Sequence, residues 1–211
     1  MFTGIVQGLC EITDVVDEEN LRRLTINLGE LADDIELGAS VAINGSCVTV
    51  VACQGTQVAF DVIRETLDLT NLGDLAVAER VNVERSLCFG DEIGGHILSG
   101  HVSTSVCVAS VEETTNTRDV SFAVPARWMK YLLHKGFVAL DGASLTIAAT
   151  KPAEHTISIS LIPETIRRTT LGLVQCGAKV NLEIDLQTQA VVETVERLLD
   201  SADFQERLAA R

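Results

Sequence analysis

The chain is poor in positive charge: 16 lysines and arginines face 30 aspartates and glutamates, a formal net charge of −14. Phosphate backbones call for a basic footprint, and these few cations form no cluster, so nucleic acid is not an expected partner. The acidity serves solubility. Six cysteines (Cys10, Cys47, Cys53, Cys88, Cys107, Cys176) lack C-x-x-C or any other metal spacing and read as reduced thiols of a cytoplasmic protein. His96 and His101 are five apart, on opposite faces of an extended segment, and make a poor metal pair. Gly94-Gly95 and Gly100 fit neither a Walker loop nor a dinucleotide fingerprint. Met1-Phe2-Thr3-Gly4 has none of the basic and apolar regions of a signal peptide, and no apolar run approaches the roughly 18 residues of a membrane span. The expectation is a soluble protein without metal, cofactor or membrane.

What is present is a sequence written twice. Thr3-Gly4-Ile5-Val6 returns as Ser99-Gly100-His101-Val102, and Val41-Ala42-Ile43-Asn44-Gly45-Ser46-Cys47-Val48-Thr49-Val50 as Val138-Ala139-Leu140-Asp141-Gly142-Ala143-Ser144-Leu145-Thr146-Ile147. Further on, the segment from Glu65 to Gly73 returns from Glu164 to Gly172, and Val81-Asn82-Val83-Glu84 as Val180-Asn181-Leu182-Glu183. The order is kept, and the spacing far exceeds the roughly 20 to 50 residues of solenoid repeats, so each copy is a whole small domain. The expected units are residues 1–93, 94–187 and a C-terminal segment 188–211.

Period-two alternation runs through both copies: Val41, Ile43; Val58, Phe60, Val62; Val81, Val83; Ile157, Ile159, Leu161; Val180, Leu182, Ile184. Asn44-Gly45 and Asp141-Gly142 are hairpin turn signals. Each copy therefore reads as antiparallel β, most simply a closed barrel that hides its edges. Residues 67–72 and 166–171 read as short helical turns ending at Gly73 and Gly172, and residues 128–133 as another. After Asp185, Val191, Val195, Leu198 and Ala202 recur at helical spacing, widened by Val192 and Leu199. That helix packs on its own barrel or bundles with copies from other subunits, and the heptad-like spacing favours the bundle.

Side chains two apart on a strand share a face, so Cys47 joins Thr49, and Ser144 joins Thr146. Ile5 in the first copy is His101 in the second, which gives the copies different acid and base equipment. The residues by themselves support two related small-molecule pockets.

Six ordered motifs go further: Met1-Phe2-Thr3-Gly4-Ile5-Val6, the Asn44 to Val50 stretch, Glu65-Thr66-Leu67 with Thr70-Asn71-Leu72-Gly73, Gly94-Gly95-His96 through Gly100-His101-Val102, Asp141 to Thr146, and Ile162-Pro163-Glu164-Thr165. With these the chain resembles the riboflavin synthases of the lumazine-binding-repeat type. The resemblance implies an all-β fold of two tandem six-stranded Greek-key barrels related by a pseudo-two-fold axis, plus a C-terminal α-helix that forms a homotrimer with sites between subunits. It implies that two molecules of 6,7-dimethyl-8-ribityllumazine exchange a four-carbon unit to give riboflavin, without metal or organic cofactor, and leaves room for association with lumazine synthase.

By resemblance, Gly4, Ile5, Val6, Cys47, Val48, Thr49 and the run Asp61, Val62, Ile63, Arg64, Glu65, Thr66 line the first pocket. Gly100, His101, Val102, Lys135, Ser144, Leu145, Thr146 and the run Leu161, Ile162, Pro163, Glu164, Thr165 line the second. His101, Ser144 and Thr146 are the candidates for proton transfer and Cys47 for assisting attack on the partner molecule. Phe2, Ser40 and Asp185 match positions near the reacting rings, Asp185 as anchor or base. Relatives often continue Gly-His-Val with Asp-Gly, where this chain has Ser103-Thr104-Ser105.

Overall fold

A computed structural model describes residues 1–201 of the chain; the expected tail 202–211, including Ala202, lies outside the described residues. The first copy forms β1 (Gly8–Glu18), β2 (Leu21–Asn27), β3 (Ser40–Ile43), β4 (Ser46–Gln54), β5 (Gln57–Ile63) and β6 (Arg80–Arg85). These close into an antiparallel barrel in the order β1-β2-β5-β4-β3-β6. Alternation sets the faces: Val41, Ile43, Val48, Val50, Val58 and Phe60 fill the interior, while Cys47 and Thr49 point outward.

The second copy comprises β7 (Thr104–Glu113), β8 (Arg118–Ala123), β9 (Phe137–Leu140), β10 (Ala143–Thr146), β11 (Ala149–Lys151), β12 (Thr156–Leu161) and β13 (Lys179–Ile184). Their order is β10-β9-β13-β7-β8-β12-β11. The expected counterpart of β4 is delivered in two pieces, because the ladder changes partner between Ile147 and Ala148. Ile147 N donates to Gly136 O, whereas Ala148 N donates to Ser158 O. The two margins of this curled sheet are thus halves of one strand, and Ile147 is fully buried between them.

The short helices begin earlier than the apolar spacing suggests. They are α1 (Arg64–Leu69) and α2 (Pro163–Arg168), each followed by a separate 3-10 turn. Thr70 and Thr169 are extended and break the run, and Thr70 Oγ1 accepts from Leu72 N at 3.2 Å to start the next turn. The chain continues into α3 (Leu186–Leu199). Among the described residues no helix is long and apolar enough to cross a membrane.

Two devices join the copies. The turns Asn44-Gly45 and Asp141-Gly142 take positive φ at both positions (44° and 79°, 44° and 78°), as tight hairpins require. They abut so closely that a Cβ on Gly45 would lie 2.6 Å from Gly142 N. A buried polar network surrounds them. Asn82 Nδ2 donates to Asp141 O (2.8 Å) and Thr170 Oγ1 (2.9 Å), and Asn181 Nδ2 donates to Asn44 O (2.9 Å) and Asn71 Oδ1 (2.8 Å). The segments leading into the barrels also cross over. Phe2 and Leu98 exchange backbone bonds of 2.9 Å, Ser144 N donates to Gly4 O (2.8 Å), and Cys47 N donates to Gly100 O (2.8 Å). The leading strap of each copy therefore lies on the hairpin of the other.

Candidate active site

The strap exchange decides which residues meet. Both straps are pinned by buried carboxylates at matching positions. Glu84 accepts from Thr3 N (2.6 Å), Thr3 Oγ1 (2.7 Å) and Gly4 N (3.0 Å); Glu183 accepts from Ser99 N and Oγ (2.7 Å each) and Gly100 N (3.2 Å). Burial pushes both carboxyls up, and these hydrogen bonds oppose it. The sequence reading passed over both glutamates, although they close the repeated Val-Asn-Val/Leu-Glu motif.

Glycines let the straps approach. A Cβ on Gly4 would lie 2.5 Å from Ser144 Cβ, and one on Gly100 would lie 2.7 Å from Cys47 Cβ and 2.8 Å from the Phe2 ring. Consequently Gly4, Ile5 and Val6 do not share a pocket with Cys47. They line a cavity of about 160 Å³ with Ala143, Ser144, Glu164, Thr165, Arg168 and Thr169, and Val6 joins the second barrel's core. Likewise Gly100, His101 and Val102 belong beside the Cys47 hairpin.

The strap exchange also separates His101 from Ser144. His101 is exposed, one residue after the glycine that receives Cys47 N. The histidine bonded to Ser144 is His96: its Nδ1 lies 2.6 Å from Ser144 Oγ. His96 is buried, and burial pulls its pKa below the ordinary imidazole value against the field of Asp185. The imidazole is thereby kept neutral and able to accept a proton at neutral pH. Gly95 makes this possible, since a Cβ there would lie 2.7 Å from Ser144 Cβ. Ser144 and His96 are 48 residues apart, and neither repeats in the other copy.

Other expected residues take different places. Val48, Val62 and Leu161 point into the barrel interiors, and Leu145, partly buried, packs against the second core. Phe2 is buried under the straps with Leu98, Ala42 and Ala139. Asp185 caps α3, accepting from Thr188 N (2.9 Å) and Oγ1 (2.6 Å). Partial burial opposes its charge, but those bonds, the Gln187 amide and His96 outweigh it and hold the carboxyl low. Asp61 is tied to Arg23 by bonds of 2.7 and 2.9 Å, which keep it ionised. Ser40 and Thr49 face each other across β3 and β4. Thr49, Thr146, Ile63, Arg64, Glu65, Ile162 and Pro163 are exposed, and Thr66 half-buried. Lys135 turns into β9 at φ 64° and donates its amide to Ile147 O. Glu164 is paired with Arg167 and Arg168. A larger hollow of about 440 Å³ at Arg22 is a surface feature: that arginine is committed to Asp17 and to the Gly73 and Leu75 carbonyls.

Comparison with known proteins agrees with this doubled architecture. The lumazine binding domain family matches twice, over residues 3–86 and 99–185. The riboflavin synthase of Escherichia coli is 50% identical over 94% of this chain and 93% of its own length, and that of Chlamydia pneumoniae 40% identical over 96% and 98%. Among solved structures, LumP complexed with riboflavin superposes with a TM-score of 0.82 at 26% identity, covering 88% of this chain and all of LumP. LumP complexed with 6,7-dimethyl-8-(1'-D-ribityl) lumazine gives 0.80 at 25%, covering 88% and 99%. Two lumazine binding domains in tandem, with half the residues shared with a curated relative along nearly the whole length, place the chain in the riboflavin synthase family.

Proposed function

We propose that the chain catalyses the dismutation of two 6,7-dimethyl-8-ribityllumazine molecules into riboflavin and 5-amino-6-(D-ribitylamino)uracil, the last step of riboflavin biosynthesis. The two products contain every atom of the two reactants, so the exchange consumes no oxidant or reductant. Both reactants are one compound, which suits two homologous pockets. Holding them in opposed orientation supplies on the order of 7 to 11 kcal/mol of the barrier in favourable cases.

The observation that carries the chemistry is the bond between His96 and Ser144, the serine that lines the cavity with Gly4 and Ile5. One lumazine loses a proton from its acidic ring methyl group, and the resulting carbon nucleophile attacks the ring of the other. We assign the proton-abstracting pocket to Ser144 and His96, with Gly4, Ile5, Val6 and Thr165 around the substrate and Thr146 beside it. The opposite pocket, with Cys47, Thr49, Ser40, His101 and Val102, holds the molecule under attack. Ile5 (47%), which lines the Ser144 cavity, is exposed, as are Ile63 (55%) and Ile162 (59%), two of the residues expected at the pockets, which suits closure by a neighbouring subunit. The proposed assembly is a homotrimer in which the first barrel of one subunit faces the second barrel of the next. The free cysteines suit a cytoplasmic enzyme.

A purely ligand-holding protein is the competing reading, because LumP shares the fold. The presence of Cys47, His96, His101 and Ser144 favours turnover. The decisive experiment mixes the purified protein with the lumazine alone. Growth of riboflavin absorbance is expected; stable lumazine fluorescence without product would overturn the enzymatic reading.

A further inference from the structure

His96 is held on three sides. Its amide donates to Thr3 O at 3.1 Å, its Nδ1 meets Ser144 Oγ at 2.6 Å, and one ring face is covered by Phe137, with centroids 5.1 Å apart and planes within 17° of parallel. Phe137 is 48% exposed, so one part of its ring meets solvent while it stacks on the imidazole. The register explains its position. Phe137 stands opposite Thr146, and Ala139 opposite Ser144, in the β9–β10 ladder, so phenylalanine, serine and threonine share one face. The first copy repeats this register with Ser40 opposite Thr49 and Ala42 opposite Cys47. Where the second copy has a ring over a histidine, the first has a serine.

We propose that Phe137 is a positioning residue for the proton-transferring pair, its ring fixing the His96 imidazole plane so that Nδ1 stays on Ser144 and keeping water off the imidazole face. This rests on the functional reading above. Of the three restraints, the amide bond fixes only the backbone, and the Ser144 bond leaves the ring free to turn about its axis toward the hydroxyl. The stacked ring removes that freedom. The charged group acting on the imidazole is Asp185 at the start of α3. Glu84 behind Thr3, Glu183 on β13 beside β9, and Lys135 ahead of β9 are the other ionisable groups on the adjoining segments.

The test uses the full chain with Phe137→Ser, which installs the residue of the first copy, and Phe137→Tyr, which keeps a stacking ring. Phe137→Ser is expected to lower kcat roughly 10- to 100-fold with little change in KM, as small misplacement of a reacting group does. Its acid limb should move to higher pH, because water admitted to the imidazole relieves the burial that holds its pKa down. Phe137→Tyr should restore both rate and pH profile. Histidine NMR of the substrate-free protein gives an independent reading: the His96 titration should move up in Phe137→Ser and return in Phe137→Tyr. An unmoved His96 titration together with an unmoved acid limb overturns the proposal, whatever the rate. Full turnover in His96→Gln would instead overturn the assignment of the pair, an outcome the NMR titration distinguishes from failure of the Phe137 proposal.

Discussion

Asn44 and Asp141 hold the same place in the two copies, and only a nitrogen-for-oxygen exchange separates them. Asp141 is fully buried. It accepts from Asn181 N (2.8 Å), Asn71 Nδ2 (3.0 Å) and Thr170 Oγ1 (3.2 Å), with no cation among these partners. Burial raises its pKa from 3.8 to about 7, against the pull of those bonds. The folded state therefore binds more protons than the unfolded chain between those values, and stability falls as pH rises through that window. Asp141→Asn removes this slope and matches the first copy, while Thr170 Oγ1 can accept from the new amide. Urea unfolding should show the variant gaining on the parent from pH 4 to pH 8, by a few kcal/mol at the upper end, about 1.4 kcal/mol for each pKa unit. A gap that does not widen with pH would show that Asp141 carries no such penalty. His96 acts at the same scale. His96→Gln should reduce kcat by roughly 10²- to 10⁴-fold, the range for loss of a general base, with the protein still binding the lumazine by fluorescence. Ser144 was legible because it stands where the repeated motif of the first copy has Cys47. His96 was not, since its role comes from a contact across 48 residues that no local pattern announces.

At the scale of elements, alternation and turn chemistry mark β3, β5, β6, β12, β13 and the two repeated hairpins, since a half-buried strand writes its two faces directly into its sequence, but they leave β1, β2, β8 and β11 unmarked. The exchange of straps left no such trace: Thr3-Gly4 and Ser99-Gly100 read alike whichever barrel they cover. Glycine substitutions separate the strap contact from backbone strain. Gly38 and Gly100 have similar φ values, 86° and 80°, but a Cβ on Gly38 would meet nothing within 4 Å, whereas one on Gly100 would strike Cys47 and Phe2. Gly38→Ala should cost about 1 to 2 kcal/mol, the strain of a side chain at positive φ. Gly100→Ala should cost that plus roughly 1 to 3 kcal/mol of overpacking, and should lower turnover because the strap carrying His101 is pushed off the Cys47 hairpin. Thermal melts and rates measured on both variants check this. Equal melting points would mean that the strap yields freely and is not a fixed wall of the pocket.

For the whole molecule, α3 is the element on which the proposed homotrimer rests. One side of it is anchored to the second barrel: Lys130 pairs with Glu196, Tyr131 Oη donates to Glu193 at 3.1 Å, and Val192 packs against the core. The other side leaves Val191 (64%), Val195 (48%) and Leu198 (53%) open. An apolar stripe that its own barrel does not cover fits a bundle with the same helix of other subunits, and a three-fold ring closes such an assembly. The helix and its stripe were legible from spacing alone; which side its own barrel covers was not, because that depends on Lys130 and Tyr131. Replacing both Val191 and Val195 with Glu places charge in the proposed seam while leaving the anchoring side intact. Light scattering should then report a single chain in place of three, with unchanged circular dichroism because Val191 and Val195 are exposed and lie away from the side that anchors α3. Each pocket should still bind one lumazine, yet turnover should collapse, since the two bound rings no longer face each other across a subunit boundary. A single-chain variant with full turnover would refute the intersubunit site and require both reactants to meet within one chain.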